Sequence, residues 1–282
     1  MMSVIDREDE YKKEKEAGHP NTPPDRLAEL AKDRAWVVRY CVVHNKSTPP
    51  EVLERLAKDR SRKVRCEVAR NISTPLNSLA VLANDKDWQV RCTVAGNPST
   101  SPDTLAQLAA DDDWSVCMYV AENPYTPPKV LVQLANNEKE YVQSGVARNP
   151  HTPPDILTRL AKNGDGEARW SVAANRSAPP DILEMLSHDK NWLVRQAVAY
   201  NPNTQPETLA VLASDKEIDV RWQVTQNPTT PPEVLAELAN DKTKYVAMAA
   251  RETLDIPVNL PQSSRPTVSA TELAQPSTME IN

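Results

Sequence analysis

Four histidines, four cysteines and a surplus of carboxylates are the groups in this 282-residue chain that could do chemistry. Acid–base work or metal ligation needs such groups to converge. His19, His44, His151 and His188 are scattered, and only His19 and His44 fall near each other in the chain. No H-E-x-x-H, G-x-S-x-G or Gly-rich phosphate loop occurs. Cys41, Cys66, Cys92 and Cys117 are spaced 25, 26 and 25 residues apart. That regularity is not a ligand spacing; it points to a repeat. No catalytic residue, metal site or cofactor is therefore expected.

The repeat is plain once sought. Asn45, Asn71, Asn97, Asn123, Asn149, Asn175, Asn201 and Asn227 follow at intervals of 26 residues, with His19 one step before them. Leu27 to Leu235 and Leu30 to Leu238 form two unbroken leucine columns at the same interval. Nine units run from His19 to Glu252 without an insertion, reading N-P-x-T-P-P-[ED]-x-L-x-x-L-A-x-D-x-x-x-x-V-R-x-x-V-A-x. Of the 25 prolines, 21 lie in this stretch, so they punctuate rather than signal disorder.

Each part of the unit has a mechanical reading. Thr48, Pro49, Pro50 and Glu51 resemble a capping box, with the hydroxyl accepting a backbone N–H and the prolines filling first-turn positions. Leu53, Leu56 and Ala57 form one apolar stripe. Asp59 is the expected N-cap of a second helix carrying Val64 and Val68. Asn71 would end that helix in the left-handed conformation. Two helices of about ten residues per unit follow, and neither can bury its apolar side without neighbours. The expected fold is an all-α solenoid of nine stacked two-helix repeats.

Asp33 and Arg39, Asp59 and Arg65, Asp85 and Arg91, Asp189 and Arg195, and Asp215 and Arg221 keep a six-residue offset. They read as a structural ladder of charge-assisted hydrogen bonds. In repeats four and five Asp111 meets Cys117 and Asn137 meets Gln143. The alternative reading is an arginine row that grips phosphates.

The net charge is −6, with the two ends each contributing −2 and the repeats nearly neutral. A duplex-binding protein needs a basic excess, so nucleic acid is the weaker partner. No apolar run approaches the ~18 residues of a membrane span, and no secretory signal is visible. Equivalent positions of stacked repeats sit roughly 10 Å apart, beyond the ~7 Å a disulfide spans. Free thiols in a reducing cytoplasm are expected.

The unit, as in Asn123-Pro124 through Leu134-Ala135 followed by V-R-x-x-V-A, resembles the leucine-rich repeat variant (LRV) family, and its Asp/Arg ladder is similar to that of HEAT repeats. The resemblance covers residues 19–252. It implies a right-handed superhelix in which one helix per repeat is 3₁₀, and no established catalytic activity. Some members carry an N-terminal cysteine cluster for an iron–sulfur centre. No cysteine precedes Cys41 here, so that cofactor is not carried over.

With leucine and valine columns as core, the positions of Val37, Cys41 and His44 share a ridge on the second helix, beside the Tyr40 column. In solenoids that ridge lines the concave side. It concentrates Tyr119, Tyr141, Arg148, Trp170, Tyr200 and Trp222 between repeats four and eight, residue types enriched at interface hot spots. These are the expected partner-binding residues, for a peptide or helix of another protein, on a monomeric non-catalytic scaffold. Trp170 and Trp222 could instead pack against adjacent repeats. Trp36, Trp88, Trp114 and Trp192 share another column and are expected in the core, packed between repeats. Residues 1–18 read as a charged cap or an unstructured segment, and 253–282 as a flexible Ser/Thr/Pro-rich tail.

Overall fold

The computed structural model describes residues 4–254, all of whose helices are α-helices; of the tail expected at 253–282, Thr253 instead ends the last helix, and everything from 255 onward lies outside the described residues. One N-terminal helix, Val4–Gly18, is followed by nine helix pairs. The second pair is typical: Pro50–Leu56 and Arg62–Arg70, seven and nine residues rather than about ten. The 3₁₀ character implied by family resemblance survives only at helix ends, those of the first helix among them. Val52 N–H donates to Pro49 O and Asp59 N–H to Leu56 O, both three residues back.

The leucine columns and the valines at Val38, Val64 and their equivalents are buried, forming one core continuous along the stack. Each second helix packs directly on the second helix of the next repeat, whereas first helices of neighbouring repeats make far less contact. Closer spacing on one side bends the stack, so the second helices line the inside of the curve.

Four expectations about local chemistry are corrected. Thr48 does not cap the helix that follows. Its neighbours are prolines, the N-cap is Pro49, and the hydroxyl turns back to donate to Val42 O at 2.5 Å. Asp59 is not the N-cap of the second helix; Ser61 is. The Asp59 carboxylate accepts the Ser61 N–H at 2.7 Å, pinning the turn just upstream.

Asn71 is in the extended region, φ −68°, not the left-handed one. The asparagine column serves to staple repeats instead. Asn97 Nδ2 donates to Ala69 O (2.6 Å) and Asn71 O (3.2 Å) of the preceding unit, while its Oδ1 accepts the Ser99 N–H (2.8 Å).

The charge ladder, lastly, runs between repeats rather than within them. Arg39 pairs with Asp59, Arg65 with Asp85, Arg91 with Asp111, Arg169 with Asp189, Arg195 with Asp215 and Arg221 with Asp241, each twenty residues ahead. To the aspartate six residues behind, Arg65 offers only a bond to the backbone, Asp59 O at 2.8 Å. With this register Asp111 is not orphaned opposite Cys117. Cys117 and Gln143 are followed twenty residues on by Asn137 and Asn163, so base and acid are lost together at both junctions. An unpaired buried charge is costly, and none is left among these six pairs.

The N-terminal helix takes the place of a preceding second helix. Lys13 stands 26 residues before Arg39 and reaches Asp33 at 3.3 Å. Ala17 is buried, and the carbonyls of Ala17 and His19 each accept from Asn45 Nδ2 at 2.8 Å. The first repeat is thereby stapled like every other. At the far end the arginine position holds Ala247, so no cation is left without an acid. Repeat six departs most: its first helix extends over Pro154–Asn163, and a Cβ on Gly164 would come 2.4 Å from Leu160 O.

Candidate functional site: the inner helix face

The side chains free to meet a ligand on the inner face are those at the first, second, fifth, sixth and ninth positions of each second helix, since the third and seventh are core valines. The arginines at the fourth position are largely consumed. Arg39 and Arg221 are about 4% exposed, and all six form bidentate pairs with aspartate. They present no row to a phosphate backbone.

Tyr119, Tyr141 and Arg148 lie on neighbouring repeats. The Tyr119 ring covers Gly96, where an added Cβ would touch it at 3.4 Å. Tyr141, 60% exposed, stacks on Trp114 with ring centroids 5.3 Å apart. The Arg148 guanidinium bridges three repeats, donating to Glu122 at 2.8 Å and Glu167 at 2.9 Å. Farther along, Tyr200 is 59% exposed. Trp170 and Trp222 are half-buried against the core, and Trp222 stacks on Tyr245 at 5.8 Å. The six residues are spread over repeats four to eight rather than gathered in a pocket.

The tryptophan column is corrected from core to surface. Trp36, Trp88, Trp114 and Trp192 are 36–40% exposed. Each is the first residue of its helix, two positions before the buried valine, and Trp36 and Trp114 meet residues of the next repeat. Lys63 Nζ sits 4.4 Å from the Trp36 ring centre, as Tyr141 sits on Trp114.

A concavity of about 580 Å³ lies across the N-terminal helix and the second helices of repeats one to three. Its lining includes the apolar Trp36, Tyr40, Cys41 and Cys66, the bases Arg62, Lys63 and Arg70, and the acids Glu14 and Glu67. Glu67 is buried at its floor and held by His44 Nε2 and Arg70 Nη1, each at 3.1 Å. The Tyr40 ring packs on His44 at 4.8 Å. Burial, then the Glu67 charge, pushes the Tyr40 hydroxyl up from its ordinary value; burial does the same to the Cys41 and Cys66 thiols. All four cysteines are free thiols. The repeat pattern alone does not single out this hollow. Its signal was the cluster Arg62, Lys63 and Arg70, at positions that other repeats mostly fill with neutral residues. Among the described residues no group of His, Cys, Asp or Glu has a metal-holding arrangement, and no helix is long and apolar enough to cross a membrane.

Stacked helix pairs with a continuous core and stapled junctions define a helical repeat solenoid. The repeat unit is similar to that of the leucine-rich repeat variant family, whose model matches residues 88–113, the span of one repeat. A solved leucine-rich repeat variant, described as having a novel repetitive structural motif, is 26% identical, with 82% of this chain and 81% of that chain covered and a TM-score of 0.50. An engineered protein is 16% identical over 90% of this chain and 96% of its own, with a TM-score of 0.39. YibA of Escherichia coli is 16% identical over 90% and 98%, with a TM-score of 0.43. No curated protein matches the chain.

Proposed function

We propose that this protein is a non-catalytic scaffold that holds another protein, as an extended segment or a helix, along the inner face of the solenoid. The observation that carries this reading is the strip of exposed aromatic rings and bridging charge on that face: Trp114 on Tyr141, Tyr119 over Gly96, and Arg148 between Glu122 and Glu167. Rings that are already stacked lose little side-chain freedom on binding, so their contact area converts more fully to affinity. Nucleic acid is the weaker occupant, because the recurring arginines are tied to aspartates. Four free thiols favour a reducing compartment such as the cytoplasm.

The test is affinity capture from host lysate, read by mass spectrometry, with the wild type and a Tyr141→Ala/Arg148→Ala/Tyr200→Ala variant. All three side chains are exposed, so circular dichroism should show the variant folded. A protein held by the wild type, lost by the variant and reproduced as a purified complex supports the scaffold reading. Equal capture by both rules out this surface, and nuclease-sensitive capture rules out a protein as the occupant.

A further inference from the structure

The inner face is not uniform in charge. The second helix of repeat two presents Arg62, Lys63 and Arg70, all exposed. The equivalent positions are Trp36, Val37 and His44 in repeat one, and Trp88, Gln89 and Gly96 in repeat three. Beyond them Arg148 is occupied by two glutamates, and Glu122, Glu167 and Asp219 make the later repeats acidic. The cations therefore gather at one place, the rim of the 580 Å³ hollow whose apolar lining is Trp36, Tyr40, Cys41 and Cys66. It holds two acids, Glu67, buried and matched by His44 and Arg70, and Glu14 from the N-terminal helix, so its three cations outnumber them by one. Arg62 keeps only a long contact, 3.6 Å, to Asp87.

We infer that this hollow is the anchoring site of the scaffold, and that it takes a short acidic segment of a partner protein carrying one apolar side chain. This rests on the protein-binding reading above and names its partner chemistry. The apolar residue enters between Trp36 and the two thiols. Flanking carboxylates meet Arg62 and Lys63, since Arg70 is held by Glu67. A hollow of this volume holds one or two side chains, not a folded surface. A polynucleotide would need cations recurring along the groove, and repeats one and three offer none at these positions. The charge asymmetry also sets direction: the acidic end of the partner lies over repeat two, and its remainder runs toward the aromatic strip of repeats four and five.

The experiment uses the full chain and three fluorescein-labelled pentapeptides, each with four Asp or Glu around a single central Leu, Phe or Trp. Controls are the same peptides with Lys replacing every acid, and a ten-residue oligo-dT. Anisotropy measures binding, and maleimide labelling of Cys41 and Cys66 reports occupancy of the hollow. Expected are binding by at least one acidic probe, weakening with added salt, and slower labelling of both thiols. Arg62→Glu/Lys63→Glu should weaken it about tenfold or more, as loss and reversal of two ion pairs implies. The inference is overturned if no acidic probe binds, if the lysine probes or oligo-dT bind as well, or if binding leaves the thiols unprotected. In those cases capture through Tyr141, Arg148 and Tyr200 still decides the scaffold reading by itself.

Discussion

Consider Arg65→Gln at the junction of repeats two and three. Arg65 Nε and Nη2 donate to the Asp85 carboxylate at 2.5 and 3.0 Å, and both side chains are about 9% exposed. Removing the guanidinium leaves Asp85 buried, with the Asp87 N–H at 2.9 Å as its remaining donor. Breaking one side of a buried pair costs about 3–5 kcal/mol. Asp85→Asn strands Arg65 and should cost about the same. The double variant, Arg65→Gln/Asp85→Asn, installs the neutral combination found at Gln143 and Asn163. It should lose only about 1–2 kcal/mol, the value of the missing charge-assisted bonds over neutral ones. The coupling energy is then about 4 kcal/mol or more. Urea unfolding followed by far-UV circular dichroism measures it, with equal slopes required across the four proteins because repeat arrays can lose cooperativity. Arg65→Gln/Asp59→Asn is the control: Asp59 serves Arg39, so those two changes should simply add. Additivity between Arg65 and Asp85, or rescue by Asp59→Asn, would refute the inter-repeat ladder.

Three further outcomes follow from the same geometry. Asn149 is about 1% exposed and serves Ala121 O, Asn123 O and the His151 N–H, so Asn149→Ala should cost about 3 kcal/mol. That is a fall of roughly 6–12 °C in Tm by calorimetry for a chain of this size, and an unchanged Tm would refute the staple. In Asp85, Asp111, Asp189 and Asp215 burial pushes the carboxyl up, but hydrogen bonds from arginine and a backbone N–H hold it below the usual range; in Asp241 the Arg221 bond dominates. Their contribution is therefore full above the unfolded value of about 4 and is lost as pH falls through the lower folded values; a urea midpoint that stays level from pH 4 to pH 2 would contradict this. Burial pushes the Cys92 thiol up to about 12, and Cys117 is likewise buried and raised, its Sγ donating to Asp111 O at 3.4 Å. Maleimide at pH 7.5 should label half-buried Cys41 and Cys66 first and reach Cys92 and Cys117 only in denaturant; equal rates for all four would refute that order.

Much of this architecture is legible in one dimension. The 26-residue interval, the leucine and valine columns and the paired prolines establish how many repeats there are, that each holds two helices, and which sides are buried. Periodicity makes residues equivalent without saying which copy of a column a side chain reaches. An offset of six back within a repeat and twenty ahead into the next name the same pair of columns. Asp33 and Asp59 were thus indistinguishable as partners of Arg39, and only the stacking of one unit on another chose Asp59. The irregular repeats held the clue, since Cys117 is matched by Asn137, and Gln143 by Asn163, across the junction.

The same limit applies to the site. A column of tryptophans reads as core because large apolar side chains are usually buried. Their place at the first residue of a helix, with Trp36 and Trp114 against the next repeat, is set by how second helices lie against each other. The hollow beneath Trp36 likewise joins residues from four helices, Glu14 to Thr93. The sequence determined the repeat, because hydrophobic spacing is local. Tertiary structure decided the charge partners, the asparagine staples and the hollow, because each of these forms between units and depends on how one repeat is rotated and shifted onto the next.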